Sequence, residues 1–173
     1  MKTIIRILVI AILCCLTSCQ EPSGPKPPIE LPFAVHQAGA TVSTELRIVD
    51  GRNYPLNLIF KINENDKEDR ARLRKLVGGS GIIRATGEPV EPGIPIPLRL
   101  TITNIDPSGE RPFLDREMLV GMLSSGSRDQ FVRHIAQINF SPGLYRVSVK
   151  SLKNTPELAS TKIIFAVHLR MGK

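Results

Sequence analysis

The feature that most constrains the fold of this chain is an alternation of apolar and polar residues that recurs along most of its length. From Tyr54 to Ile62, for example, every second side chain is apolar. Successive side chains of a β-strand point to opposite faces, so this period predicts strands with one buried face. The alternating runs cover residues 41–50, 54–62, 94–102, 132–140, 145–149 and 163–169.

Two further segments bring the predicted total to about eight strands. Residues 33–37 form a short apolar run, and residues 113–120 form a weaker one. No helical pattern alternates regularly with the strands, which argues against a parallel α/β sheet. The sequence therefore predicts a mainly β domain, an immunoglobulin-like antiparallel β-sandwich of about eight strands with one inserted short helix.

The connections between the runs lead to three more specific predictions. Residues 50–53 (Asp-Gly-Arg-Asn) carry turn chemistry and predict a hairpin between the first two runs. Pro95 and Pro97 share one parity, which suits an edge strand or the start of a strand. The pair Pro142-Gly143 places Tyr145 at the start of a strand. This segment resembles the corner of immunoglobulin-like sandwiches, in which the tyrosine hydroxyl bonds to nearby backbone.

One helix is predicted over residues 66–77. Asn65 is a candidate cap, and Glu68 lies three residues later, as in a capping box. Acidic residues gather at the helix start and basic residues at its end, which complements the helix dipole. Gly78-Gly79 is expected to end the helix.

The basic residues at the helix end are the candidate partner surface: Arg70, Arg72, Arg74 and Lys75. Arg70 and Arg74 are four residues apart and share a face, and the other two lie on its flanks. Such a cluster could meet anionic lipid headgroups or an acidic partner. The alternative is a solvated helix end whose charges only match the dipole, and the sequence leaves both interpretations open.

The amino-terminal region predicts export and lipid attachment. Lys2 and Arg6 accompany an apolar run over residues 4–16, which is shorter than the roughly 20 residues of a membrane span. Leu16-Thr17-Ser18-Cys19 resembles the lipobox of bacterial lipoproteins, in which the cysteine thiol is lipidated and the signal removed. We predict a signal peptide at residues 1–18, a lipidated Pro-rich tether at 19–32 and one β-sandwich domain at 33–173. A plain secretory signal with a chance cysteine is the alternative.

Cysteine content and charge restrict the setting further. The three cysteines are Cys14, Cys15 and Cys19, so signal removal and lipidation would leave neither a free thiol nor a disulfide. A hydrophobic core must then stabilise the domain. The formal net charge is +7. The acids and bases are mixed and aromatic residues are few, so nucleic acid is not a predicted partner.

Six segments together carry a family resemblance: residues 66–72, 75–79, 92–100, 142–149, 151–153 and 156–158. They resemble an uncharacterised family of proteobacterial lipoproteins, classed as a domain of unknown function. The likeness spans residues 32–169. It implies a compact, mainly β domain on a lipid anchor and implies no activity, so no catalytic residue is carried over.

No catalytic, cofactor or metal site is predicted. His36, His134 and His168 do not have metal-ligand spacing. His134 falls on the apolar face of its run, as a core histidine would, and the other two are expected to be solvated. Residues 78–82 miss the Gly-x-Ser-x-Gly pattern of a nucleophile elbow, and the acidic pairs near residues 64–69 suit helix capping.

The predicted function is therefore non-enzymatic binding. We expect a periplasmic lipoprotein anchored in the bilayer by acylated Cys19, which acts as an interaction module for an unidentified envelope protein. Gln20 follows Cys19, rather than the aspartate that resembles an inner-membrane retention signal, so the outer membrane is favoured. The alternative is an immunity-type inhibitor of a toxin acting in the periplasm, for example a lipid-degrading effector, and it rests on analogy of size and location. A hydrolase built from scattered residues is the least favoured function.

Overall fold

The computed structural model describes residues 24–63, 66–79 and 91–168. Within these ranges the strands are β1 (Ile29–Pro32), β2 (Thr41–Ile48), β3 (Arg52–Lys61), β4 (Pro97–Asp106), β5 (Gly109–Leu119), β6 (Leu123–Gly126), β7 (Gln130–Phe140), β8 (Gly143–Ser151) and β9 (Ile163–Val167). Helix α1 covers Lys67–Val77, and a short 3-10 helix covers Pro156–Leu158. No helix in these ranges is both long and apolar enough to cross a bilayer.

The strands form two antiparallel sheets. Sheet A has the order β1-β9-β3-β7-β6, and sheet B has the order β2-β8-β4-β5. The prediction of a mainly β antiparallel sandwich with an inserted helix is confirmed. The alternating apolar residues of both sheets meet in one core, where Leu58, Leu100 and Val147 are fully buried. Each fully buried aliphatic side chain contributes about 1.5–3 kcal/mol relative to exposure.

The predicted hairpin between the first two runs is wrong. β2 pairs with β8 in sheet B, whereas β3 pairs with β7 and β9 in sheet A. Residues 49–51 therefore cross from one sheet to the other. Each strand carries one apolar face, and these faces bury each other from opposite sides of the core. Turn residues suit a sheet-to-sheet crossing as well as a hairpin, so local chemistry did not distinguish the two.

The first strand also lies elsewhere than predicted. Residues 33–37 form a loop with a turn, and the first strand is β1, whose Ile29 pairs with Val167. The end of the predicted tether is thus part of sheet A, and the folded part begins before residue 33. β1 is an edge strand, where proline is tolerated because the lost N–H has no ladder partner. Pro97 is the first residue of β4, which agrees with the prediction of a strand start. β4 is not an edge strand, because it lies between β8 and β5 in sheet B.

A β-bulge in β7 changes which residues face the core. The pairing steps from Leu56 with Ala136 to Asn57 with His134, so Ile135 is the extra residue. Even-numbered residues face the core after the bulge, and odd-numbered residues face it before the bulge. Arg133 is therefore buried, and His134 lies on the outer face of the sheet. The prediction of a core histidine at position 134 is wrong for this reason. On the outer face of sheet A, Ile59, Ile164 and Ala166 form a second apolar cluster.

Arg133 is the most buried charged group among the described residues, at 2% exposure. Its guanidinium donates to three backbone carbonyls, those of Ile94 (2.8 Å), Val120 (2.9 Å) and Gly121 (2.7 Å). Burial lowers the pKa of Arg133 to about 10, so the group stays protonated at neutral pH. The three bonds join the segment before β4 to the turn after β5, which satisfies carbonyls that no strand partner reaches.

The corner at Pro142 and Gly143 enters β8, but the predicted hydroxyl bond lies elsewhere. The Tyr145 ring packs in an aromatic cluster with Phe113 and Phe140, at centroid distances of 5.6 and 4.7 Å. Among the described residues, the tyrosine hydroxyl that bonds back to backbone is that of Tyr54, which donates to the Asp50 carbonyl at 3.1 Å. The tyrosine bond therefore secures the crossing between the sheets rather than the turn before β8.

The Arg133 bonds lead to a stability prediction. Arg133→Met keeps most of the buried volume but leaves three carbonyls without their donor, and we expect a loss of about 3 kcal/mol in the free energy of unfolding. Urea unfolding followed by circular dichroism measures it. The control is Arg116→Met on β5, where the arginine is exposed and a change below about 0.5 kcal/mol is expected. Equal midpoints for the two variants would contradict the structural role of Arg133.

Candidate functional site at helix α1

Helix α1 begins and ends through local backbone chemistry. The Asp66 side chain caps it by accepting from the backbone N–H groups of Glu68 and Asp69, both at 2.9 Å. The predicted cap, Asn65, lies outside the described residues. Gly78 ends the helix with φ of +83°, and a Cβ there would lie 2.6 Å from the Glu91 carbonyl oxygen. The helix is thus tied to the segment that leads into β4.

Helix α1 covers one end of the sandwich. Its Leu73 and Val77 are fully buried in the main core. The helix connects to the sheets through the carboxyl end of β3 and the start of β4, so we call this end of the sandwich the helix end. At the opposite end, the Pro25 carbonyl accepts from the Arg47 backbone N–H beside the last residues of β2. We call that end, where the chain joins the fold, the tether end.

The register shows how far apart the two ends are. β3 starts at the tether end with Arg52 opposite Phe140 and reaches the helix end with Lys61 opposite Gln130. At about 3.3 Å per residue, the length of this strand separates the ends by roughly 30 Å. Pro25 and helix α1 therefore lie at opposite ends of the domain.

Arg72 attaches the helix to the sandwich. Its guanidinium bonds to the Asp69 carboxylate (2.7 Å), the Glu157 carbonyl (3.2 Å) and the Thr161 hydroxyl (3.0 Å). Burial raises the pKa of Asp69, but the Asn63 backbone N–H and Arg72 outweigh it, and the net pKa is lowered. Of the four predicted surface residues, Arg72 thus docks the helix on the segment before β9.

The Arg70 guanidinium is held in place by some of its contacts, and its remaining N–H donors can still bind a ligand. Its guanidinium carbon lies 5.0 Å from the centroid of the Phe131 ring. Its Nη1 donates to the carbonyls of Ser127 (2.8 Å) and Arg128 (3.1 Å). Its Nε and Nη2 have no hydrogen-bond partner among the described residues. The cation–π contact and the two bonds fix the direction in which the remaining donors point.

The other basic residues of the helix are weakly paired. Arg74 lies 3.9 Å from the Glu91 carboxylate, at the edge of ion-pair distance, and both side chains are substantially exposed. Lys67 and Lys75 are exposed and form no ion pair with any described residue, and the same holds for Arg128 in the loop before β7. Exposed pairs of this kind contribute little, so these charges are available to a ligand.

These residues border a groove. Three adjoining depressions, with volumes of about 230, 360 and 390 Å³, run along the helix. The first two share Lys67 and Arg70, and the last two share Arg74, so the depressions lie side by side along the helix. Ala71 and Phe131 lie at the middle, and Arg128 stands at one end. We call this feature the basic groove.

The basic groove agrees only in part with the predicted partner surface. It includes Arg70, Arg74 and Lys75, which the sequence singled out, but uses Arg72 elsewhere. Lys67 and Arg128 were missed. Lys67 precedes Arg74 by seven residues and so shares its helix face, a signal that the sequence carried. Arg128 carried no such signal, because only folding brings its loop beside the helix.

The remaining predicted residues do not converge on a site. His134 Nδ1 lies 3.2 Å from the Asn57 amide oxygen, and partial burial lowers its pKa. His168 lies 3.4 Å from Glu30 at the edge of sheet A. Among the described residues, no cluster of histidine, cysteine and carboxylate side chains could hold a metal ion. Cys14, Cys15, Cys19 and the segment at residues 80–82 lie outside the described residues.

Comparison with known proteins places the fold. A family model described as a domain of unknown function, DUF5625, matches residues 30–169. A crystal structure of a Sulfurospirillum deleyianum protein is similar, with a TM-score of 0.72 and 20% sequence identity. The similarity covers 84% of this chain and 99% of that one. At this identity the likeness shows the fold alone. No curated protein matches the chain.

The docking role of Arg72 can be tested by comparison with Lys75 on the same helix. Arg72→Met removes bonds to three groups, and we expect a loss of about 1 kcal/mol in the free energy of unfolding. Lys75→Met removes an exposed charge that has no ion pair in the described part of the chain and should leave the stability within about 0.5 kcal/mol. Urea midpoints measure both, and equal losses would count against docking by Arg72.

Proposed function

Since the chain belongs to the DUF5625 family, and no activity comes with that membership, we propose that it is a lipid-anchored binding module of the bacterial cell envelope. In this proposal Cys19 carries the lipid, and the basic groove meets a partner on the periplasmic side. The observation that carries the proposal is the basic groove itself, where Arg70 is held in place and Lys67, Lys75 and Arg128 have no ion pair among the described residues. The groove lies at the helix end of the domain, opposite Pro25 at the tether end.

The anchor is supported by the amino-terminal sequence. A basic start, a short apolar run and Leu16-Thr17-Ser18-Cys19 follow one another in the order that lipid attachment requires. One acyl chain gives only marginal membrane binding, whereas two or three give a durable anchor. Gln20 at the position after Cys19 supports the outer membrane as the site of attachment.

The orientation follows from the anchor and the fold together. Cys19 precedes Gly24 by five residues, and the chain joins the sandwich at the tether end. A lipid on Cys19 therefore holds the tether end towards the membrane. The helix end, roughly 30 Å further on, faces away from it. This argues for a partner in the periplasm rather than for the headgroups of the anchoring membrane.

Basic side chains of this kind suit binding better than bond breaking. Arg70 is held by two backbone carbonyls and an aromatic ring, and guanidinium groups remain protonated under all physiological conditions. They provide fixed positive charge for a partner and no group that exchanges protons near neutral pH. We therefore propose binding, without catalysis, as the role of the groove.

The anchor is tested by Cys19→Ser. A hydroxyl does not replace the thiol as acceptor of the diacylglyceryl group, so we expect the variant to incorporate no labelled fatty acid. Growth with labelled palmitate, followed by immunoprecipitation, measures the incorporation. The control is Ser18→Ala, which keeps a small residue before Cys19 and should be labelled like the wild type. Equal labelling of Cys19→Ser and wild type would refute lipidation.

The role of the groove is tested by capture in the envelope. The full-length tagged chain is expressed, crosslinked in living cells and purified in detergent, together with a Lys67→Glu/Arg74→Glu variant. We expect one or more envelope proteins to be captured by the wild type and lost from the variant. A control with the same charge change, Arg116→Glu/Lys150→Glu, should retain them. A single stoichiometric enzyme would favour the immunity-type alternative, and an unchanged set of proteins in all three samples would overturn the groove proposal.

A further inference from the structure

We infer that the basic groove binds an acidic polypeptide segment lying along helix α1, so that the partner is recognised through a row of carboxylates. This inference deepens the proposed function and rests on it for the accessibility of the helix end. It concerns the chemistry and shape of the ligand, which neither the family membership nor the similar structure specifies.

The shape of the groove favours an elongated ligand. Its cations lie on successive turns of the helix, because Lys67, Arg70 and Arg74 are spaced by three and four residues. At 1.5 Å per residue, Lys67 and Arg74 are separated by about 10 Å along the axis. A single phosphate or carboxylate is too small to bridge that distance. A linear segment with several carboxylates can engage the row one residue after another.

The charge of the groove favours an acidic ligand. Lys67, Lys75 and Arg128 form no ion pair in the described part of the chain, and Arg70 keeps donors without partners there. The Glu91 carboxylate lies 3.9 Å from Arg74 and offers only weak compensation. The Asp69 carboxylate pairs with Arg72. The Asp129 carboxylate accepts from the Ser127 hydroxyl and pairs with Lys61. Among the described residues that line the groove, five cations face two carboxylates, those of Asp66 and Glu91, so positive charge is undercompensated there.

The floor of the groove has room for the backbone of a bound peptide. Ala71 is exposed between Arg70 and Arg74, so a short side chain separates the two cations and allows a backbone to approach the helix closely. Pro92 and Ile94 line the far depression and offer apolar contact beside Lys75. Small and apolar residues flanked by cations suit a peptide whose acidic side chains alternate with small ones.

The orientation distinguishes a polypeptide from a lipid surface. If the lipid on Cys19 holds the tether end at the membrane, the groove lies at the opposite end of the domain. Roughly 30 Å exceeds the Debye length of about 8 Å at physiological ionic strength, so the headgroups of that membrane exert little attraction there. A polypeptide in the periplasm, by contrast, can reach the groove.

The experiment measures peptide binding to the purified full-length protein in detergent by fluorescence anisotropy. The probe is a labelled peptide of about eight residues that alternates glutamate with alanine, long enough at about 3.3 Å per residue to span the groove. We expect saturable binding that weakens with added salt, and a loss of at least about tenfold in affinity, or about 1.4 kcal/mol, in Lys67→Glu/Arg74→Glu.

Matched controls separate a site from general electrostatics. Arg116→Glu/Lys150→Glu makes the same change in net charge on exposed strand positions and should keep the affinity within about twofold. If the charge-reversed groove variant is unfolded by circular dichroism, Lys67→Gln/Arg74→Gln replaces it, with Arg116→Gln/Lys150→Gln as its control. A peptide that alternates lysine with alanine should not bind.

Three outcomes would overturn the inference. These are no binding of the acidic peptide, an equal loss in the groove and control variants, or binding of anionic phosphatidylglycerol vesicles through the groove in preference to the peptide. Capture of an envelope protein that depends on the groove would still support the proposed function if the peptide failed to bind. Peptide binding without any captured partner would instead support the ligand chemistry and leave the envelope role refuted.

Discussion

The burial of two apolar sheet faces against each other is the interaction on which the rest of this structure depends. Residues from all the central strands meet in one cluster, and many of their side chains are completely inaccessible. The described residues contain no cysteine, so no disulfide supports the sandwich within that part of the chain. The positions of the helix, the bulge and the buried arginine all follow from the need to close this core at its ends and edges.

The arginines of this domain divide into those that complete the fold and those that face solvent. Arg133 bonds to carbonyls that would otherwise be buried without partners, and Arg72 joins helix α1 to the segment before β9. Arg70 does both, since two carbonyls and a ring hold it beside the groove. The same residue type thus serves opposite purposes, and only the surrounding acceptors distinguish them. A guanidinium with several fixed acceptors is structural, whereas one with donors left over is available to a ligand.

A solved structure at 20% identity shares this fold, with a TM-score of 0.72. A sandwich of this kind is specified by the pattern of apolar positions more than by particular residues, so different sequences reach the same packing. Surface charge is under no such constraint. The shared fold therefore implies no function for the basic groove.

The alternation of apolar residues was sufficient to predict antiparallel strands around one core, because burial of one strand face is a local property. The charge and capping pattern of residues 66–77 located the basic helix, and Leu16-Thr17-Ser18-Cys19 predicted a lipobox. Only the tertiary structure decided that β2 and β3 belong to different sheets, since strand pairing joins residues far apart in sequence. The bulge at Ile135 buried Arg133 and placed His134 on the outer face of the sheet. Packing of the helix bonded Arg72 to Thr161 and left Lys67 and Arg128 lining the groove. These features depend on contacts between distant segments, which a periodic pattern does not encode.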